Sequence, residues 1–248
     1  MRVALISGGH PRFTGDFIAL MHQLTGFESA DLYLNFWNSN WASTEAEGSA
    51  RIESVLLPNY RLAKLKITEQ PAWELPPHTL PHPPATPENI RWWYQRRIGM
   101  WQSLYMAFDL IDQDYDLVIR FRPDGMINTV LDLRSLNVQD DIVIPKNGCG
   151  WNHWPVNDQF AVGTYNSMKL YTDIGRQYNK LVVESDPQWE HNGHGNWSGE
   201  HILGHYINKN NIKYRLENFD HVLTTRGRSK FTDKHYHLPV TQDPTTTL

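Results

Sequence analysis

Residues 1–37 leave few architectures open. Arg2-Val-Ala-Leu-Ile6 is a short apolar run that stops at the turn-rich loop Ser7-Gly8-Gly9-His10-Pro11-Arg12. A run of this kind suits a strand buried on both faces of a parallel sheet. Thr14 is placed to cap a helix that carries Phe17, Ile18, Met21 and Leu24 at helical spacing. A second apolar strand, Asp31 to Trp37, follows and ends in a polar loop. Strand, loop, helix and strand in this order begin a doubly wound α/β sheet. The basic and then apolar start has the look of a leader peptide, but Gly8 to Pro11 interrupt it before an apolar region of the needed length can form.

Further short strands are expected at Ser54–Leu57 and Lys64–Ile67. Seven prolines between Pro71 and Pro87 exclude helix and central strand there, so an irregular surface loop or a linker is expected. The clearest helix comes next: Ile90, Trp93, Tyr94, Arg97, Ile98, Trp101, Leu104, Tyr105, Phe108 and Ile111 keep the 3.6-residue period. Strands are expected at Asp116–Arg120 and Asp141–Pro145, and helices around Met168–Leu181 and His201–Asn208. The expected organisation is one domain over residues 1–240 and a frayed polar tail over 241–248.

Composition narrows the partners. The formal net charge of −4 gives no electrostatic reason to expect nucleic acid. The lone cysteine, Cys149, excludes an internal disulfide framework and suits a reducing, cytoplasmic setting. No stretch reaches the roughly 18 apolar residues of a spanning helix. Ten tryptophans and eleven tyrosines fit either a generous core or a platform for sugar or base rings.

Chemistry concentrates in a few segments. Tyr115-Asp-Leu-Val-Ile-Arg120-Phe-Arg122-Pro-Asp124-Gly ends an apolar strand in two arginines and a carboxylate. At the carboxyl end of a parallel strand such residues face the crevice where α/β proteins bind ligands. The arginines can meet phosphate oxygens, and Asp124 can hold a divalent cation or simply sit in a Pro-Asp-Gly turn. Ser7, Gly8 and Arg12, in a glycine loop before a helix, form a second candidate anion site or a plain turn. The loop is neither a Walker loop nor a dinucleotide fingerprint. Asn157-Asp158-Gln159 runs into a small apolar strand ending at Gly163, and Trp151 and Trp154 stand just upstream. Asp158 is a catalytic carboxylate or a cap. Glu200, at a helix start, is open to the same two readings. His191, His194, His201 and His205 cluster without a complete zinc motif. Arg226, Arg228 and Lys230 offer a basic face or a diphosphate contact.

Three of these segments, in order, resemble a family of glycosyltransferase-like proteins that includes the WavE-type lipopolysaccharide-synthesis proteins. Val3-Ala-Leu-Ile-Ser-Gly8 with Pro11-Arg12 is similar to the family's opening strand and loop. Tyr115 to Asp124 is similar to its central "yD-x-v-x-R-x-R-x-D" strand, and Asp158-Gln159-Phe160 through Gly163 and Met168 to its "DQ-f-x-x-G-x-x-x-M" segment. The resemblance implies a GT-A-like, Rossmann-type mixed sheet flanked by helices. It implies transfer of a sugar from a nucleotide sugar to a saccharide or glycoconjugate acceptor, as in polysaccharide biosynthesis.

Ser7, Gly8, Arg12, Arg120, Arg122 and Asp124 would then bind the nucleotide sugar. Asp124 would hold Mn²⁺ or Mg²⁺, although Arg122 stands where an Asp-x-Asp signature has its first aspartate. Asp158, and after it Glu200, would be the base. A catalytically silent nucleotide- or sugar-binding relative and a zinc hydrolase built on His191–His205 are the competing readings.

Overall fold

The computed structural model describes residues 1–11, 15–38, 41–74, 87–146, 156–184, 199–218 and 221–223. Arg12, the proline-rich loop beyond Glu74, Cys149, Trp151, Trp154, His191, His194 and the basic residues from Arg226 onward lie outside them.

In chain order the elements are β1 (Arg2–Gly9), α1 (Gly15–Gln23), β2 (Leu24–Thr25), β3 (Ser29–Trp37), α2 (Glu45–Glu53) and β4 (Tyr60–Thr68). The long helix α3 (Pro87–Asp109) leads into β5 (Leu117–Arg120), β6 (Gly125–Ile127), β7 (Leu131–Asp132), a 3₁₀ turn at Leu133–Leu136, and β8 (Ile142–Pro145). Then come β9 (Ala161–Gly163), α4 (Tyr165–Thr172), α5 (Ile174–Glu184), α6 (Gly199–Lys209), β10 (Tyr214–Glu217) and β11 (His221–Leu223).

Seven strands form one sheet in the order β10-β8-β9-β5-β1-β3-β4, and strands from Arg2 to Glu217 take part in it. Every pairing is parallel except those of β9, which runs antiparallel to both β5 and β8. The α/β class and the helix-flanked, Rossmann-type mixed sheet are therefore as expected. Two-stranded pairs β6–β11 and β2–β7 lie beside it.

Strand alternation divides the core between the two faces. Val3 and Leu5 pack with Phe17, Leu20 and Met21 of α1 and Ile52 of α2. Ala4, Ile6 and Val118 face Tyr94, Ile98, Trp101, Leu104 and Phe108 of α3, with α4, α5 and α6 completing that layer. Several of the described aromatic rings belong to the core: Trp37 of β3 and Tyr94, Trp101, Tyr171 and Tyr178 of these helices are fully buried, while Trp92 is exposed.

Two expectations need correction. Ser54–Leu57 is not a strand but the exit from α2, a helix that occupies part of the segment read as a polar loop. Thr44 caps it by accepting a hydrogen bond from the Glu47 amide at 3.2 Å, while the Glu47 carboxylate accepts from the Ser43 amide at 2.9 Å. This Thr-x-x-Glu exchange resembles a capping box, and a cap of this kind is worth about 1 kcal/mol. The helix expected around Met168–Leu181 is two helices, broken at Asp173.

Candidate functional site

The chain leaves β1 for β3 on one side and later returns to β5 on the other, so the direction of winding switches between β1 and β5. In open α/β sheets the crevice beyond the carboxyl ends of the strands at such a point is where ligands bind. β1 ends there at Ser7-Gly8-Gly9 and β5 at Arg120. Because β9 runs the other way, its amino end comes to this same edge and brings Asn157-Asp158-Gln159 with it.

The structure sorts the expected residues by sheet face. Arg120 belongs to the α3 face: its guanidinium lies 5.4 Å from the ring centroid of Trp101, and Nη2 is 3.6 Å from Met100 Sδ. Ser7 follows the alternation of Val3 and Leu5 and points to the α1 face, fully buried, with its hydroxyl unpartnered among the described residues. These two side chains are therefore not neighbours on one face. Gly8 has an explanation other than ligand approach. A Cβ there would stand 2.4 Å from the backbone of Ser103 and Leu104, so the missing side chain is what lets α3 lie against β1. Ser103 adds a tie, its Oγ accepting from the Gly9 amide at 2.7 Å and from Asn35 Nδ2 at 2.9 Å.

Beyond β5 the chain turns at Arg122-Pro123-Asp124-Gly125, closed by the Gly125 amide donating to the Arg122 carbonyl at 2.9 Å. Asp124 thus does sit in a turn, and it is 1% exposed. Both of its oxygens are engaged by one fork: Arg122 Nε donates to Oδ1 and Nη2 to Oδ2, each at 2.9 Å.

Asp158 and Glu200 meet on a third arginine. Arg97 Nη1, from α3, lies 3.6 Å from Asp158 Oδ2 and 3.5 Å from Glu200 Oε2. Gly199 makes this possible, since a Cβ at that position would be 2.7 Å from Asp158 Oδ2 and 2.9 Å from Arg97 Nη1. The Asp158 side chain is 2% exposed and that of Glu200 is 28% exposed, so only the glutamate reaches the surface appreciably. Burial works against the Arg97 charge, but Glu200 and Asp158 outweigh it and hold its pKa above the ordinary arginine value. Arg120 shows the opposite balance: burial pulls its pKa down despite the nearby Tyr171 and Asp158.

Asp158, Glu200 and Arg120 are therefore brought together on the α3 side, and Arg122–Asp124 stands at the end of the same strand. Arg97 was read from the sequence only as part of a helical stripe. The usable signal was a charged residue between Tyr94 and Trp101 on a face otherwise apolar, where a buried cation requires partners. His201 is buried on α6, and among the described residues no group of three or more histidine, cysteine, aspartate or glutamate side chains could hold a metal ion.

A cavity of about 320 Å³ opens at the opposite, amino edge of the sheet, lined by Tyr33, Arg61, Lys64, Asp112 and Gln113 among others. Its polar groups satisfy one another. Arg61 forks onto Asp31 with two 2.8 Å bonds, Tyr115 donates to Asp31 Oδ2 at 2.6 Å, and Lys64 pairs with Asp112 at 2.8 Å.

Among the described residues no helix is long and apolar enough to cross a membrane. No family model and no curated protein matches the chain. Among solved structures it is similar to the crystal structure of the glycosyltransferase GlyE of Streptococcus pneumoniae TIGR4, at 11% identity and a TM-score of 0.46, covering 88% of this chain and 46% of that one. The apo form of the same protein gives 10% identity and a TM-score of 0.44, with 86% and 44% covered. The chain spans less than half the length of these matched structures.

Proposed function

We propose that the chain is a glycosyltransferase that takes a sugar from a nucleotide sugar and passes it to the hydroxyl of a saccharide or glycoconjugate acceptor. The observation that carries this reading is the gathering of Arg97, Arg120, Arg122, Asp124, Asp158 and Glu200 at the carboxyl edge beside the switch point. Its sequence counterpart is the resemblance of the segments ending in Asp124 and beginning at Asp158 to a glycosyltransferase family.

In direct displacement an acceptor oxygen bonds to the anomeric carbon while the bond from that carbon to the diphosphate oxygen breaks. The electron pair leaves with the diphosphate, and cationic donors placed where that charge develops lower the barrier. Arg122 and Arg120, at the end of β5, are the groups assigned to it. The acceptor proton goes to a carboxylate. Exposure favours Glu200 over Asp158 for that role, which reverses the order suggested by sequence. Asp158 then acts as the buried anchor for Arg97.

The resemblance also implies Mn²⁺ or Mg²⁺ at Asp124, and the residues present do not fit it. Both oxygens of Asp124 carry the Arg122 fork, and a divalent ion needs free carboxylate oxygens with further oxygen ligands around them. No step is therefore assigned to a metal.

A thermal-shift screen of UDP-, GDP-, CMP- and dTDP-sugars, in EDTA and in Mn²⁺, tests the reading. A donor at 100 times its Kd should add about 2.7 kcal/mol, or roughly 5–10 °C in a domain of this size. One nucleotide should stand out, by the same amount in both conditions, and support transfer to an acceptor. A flat screen without transfer would overturn the assignment.

A further inference from the structure

Arg120 is the one arginine of the candidate site with no ion pair or conventional hydrogen bond among the described residues. It is 1% exposed, its Nε and Nη1 have no hydrogen-bond partner, and Nη2 meets only a thioether. Sulfur is a weak acceptor. The Trp101 ring lies against the guanidinium, so the aromatic contact leaves those nitrogens without an acceptor. Two other donors on the same side of the sheet share this condition. Trp101 Nε1 and the Tyr171 hydroxyl are buried without partners, and their rings meet edge to face at 5.6 Å. Native proteins seldom leave buried donors unmet, and a buried cation without an ion-pair partner is a costly arrangement for a fold to carry. The neighbouring acids act on it only through space, since Asp124 takes the Arg122 fork and Asp158, 3.6 Å from Arg97 and with Oδ2 lacking a hydrogen bond, makes no ion pair with Arg120.

We infer that Arg120, with Tyr171 and Trp101, is a receptor for a single oxyanion of the bound ligand, which completes from the carboxyl edge a set of donors that the chain leaves open. An oxyanion supplies the charge and the acceptors together. Two chemical sources fit: a phosphoryl group of a nucleotide diphosphate, or the carboxylate of an acidic sugar. The inference concerns the same edge as the transfer reading but does not depend on transfer taking place.

The experiment is a thermal-unfolding titration of the whole chain with pyrophosphate and, separately, with glucuronate, using sodium chloride at matched ionic strength as the control. Wild-type protein should be stabilised by one of the two, and which one identifies the source. Arg120→Met, close in volume but uncharged, should abolish that response. It should also raise the ligand-free unfolding midpoint by a few degrees, because it removes a buried charge that has no ion-pair partner. A purely structural arginine would lower the midpoint instead. Should that variant fail to fold, Tyr171→Phe decides, with an expected loss of about tenfold in affinity for the stabilising anion.

No stabilisation by either anion, or a response that survives in Arg120→Met or is unchanged in Tyr171→Phe, overturns the inference. The two readings fail separately. Anion binding that depends on Arg120, with no nucleotide sugar bound or turned over, would sink the transferase alone. Transfer with an Arg120-independent anion response would sink the receptor alone.

Discussion

Asp31, Asp124 and Asp158 are all nearly buried, and each is made tolerable differently. Asp31 accepts from Arg61, Tyr115 and Gln113. Burial raises its pKa, but the bonds from Arg61 and Tyr115 outweigh that and leave it below the ordinary 3.8. A carboxylate with a lowered folded pKa stabilises the fold fully above its unfolded pKa, and the contribution is lost as pH falls through the folded value. Asp31→Asn should therefore cost about 1–3 kcal/mol at neutral pH, with the gap from wild type closing below about pH 4. Urea unfolding at a series of pH values measures it, and a gap independent of pH would refute the account. At this scale the sequence showed which residues were chemically interesting but not whom they would meet. Arg122 and Asp124 are two apart, so their pairing was within reach of the sequence. The meeting of Arg97, Asp158 and Glu200 was not, because it depends on how α3 and α6 pack at the edge where β9 begins.

Among the elements, α3 was the most legible, with Tyr94, Ile98, Trp101, Leu104 and Phe108 buried where the period placed them. α2 was missed because Gly48 and Ser49 weaken the helical pattern, although Thr44 and Glu47 announced its start. The break between α4 and α5 was missed because the apolar spacing runs on through Asp173. What fixes α3 in place could not be read as a pattern at all, since it depends on absent side chains. At Gly175 of α5 a Cβ would lie 2.3 Å from the Trp101 carbonyl oxygen and 2.7 Å from Tyr105 Cβ. Gly175→Ala should consequently cost about 1–3 kcal/mol by overpacking, read as a lower urea midpoint with an unchanged slope. An alanine variant as stable as wild type would mean that the two helices separate easily.

Across the whole molecule, the doubly wound α/β class followed from the opening strand, helix and strand, and the sheet bears it out. The reversal of β9 did not follow, because three residues carry no sign of direction. Yet that reversal delivers Asp158 to the edge where β5 ends. Arg97 then ties together parts of the chain that lie far apart in sequence: α3, the approach to β9, and the start of α6. Arg97→Met takes a shared cation away from two carboxylates, one of them nearly buried, and should cost about 3–5 kcal/mol in equilibrium unfolding. Adding Asp158→Asn should restore part of the loss, and strict additivity would argue against the shared clamp.

The glycine contacts at both sides of α3 have one more consequence. Backbone lies against β1 at Gly8 and against α5 at Gly175, so α3 has little room to slide or roll without a clash. Arg97 and Trp101 are carried on a preorganised wall, whose ordering cost is met during folding rather than at the encounter with a ligand. Any rearrangement that binding demands must therefore take place in parts of the site other than this wall.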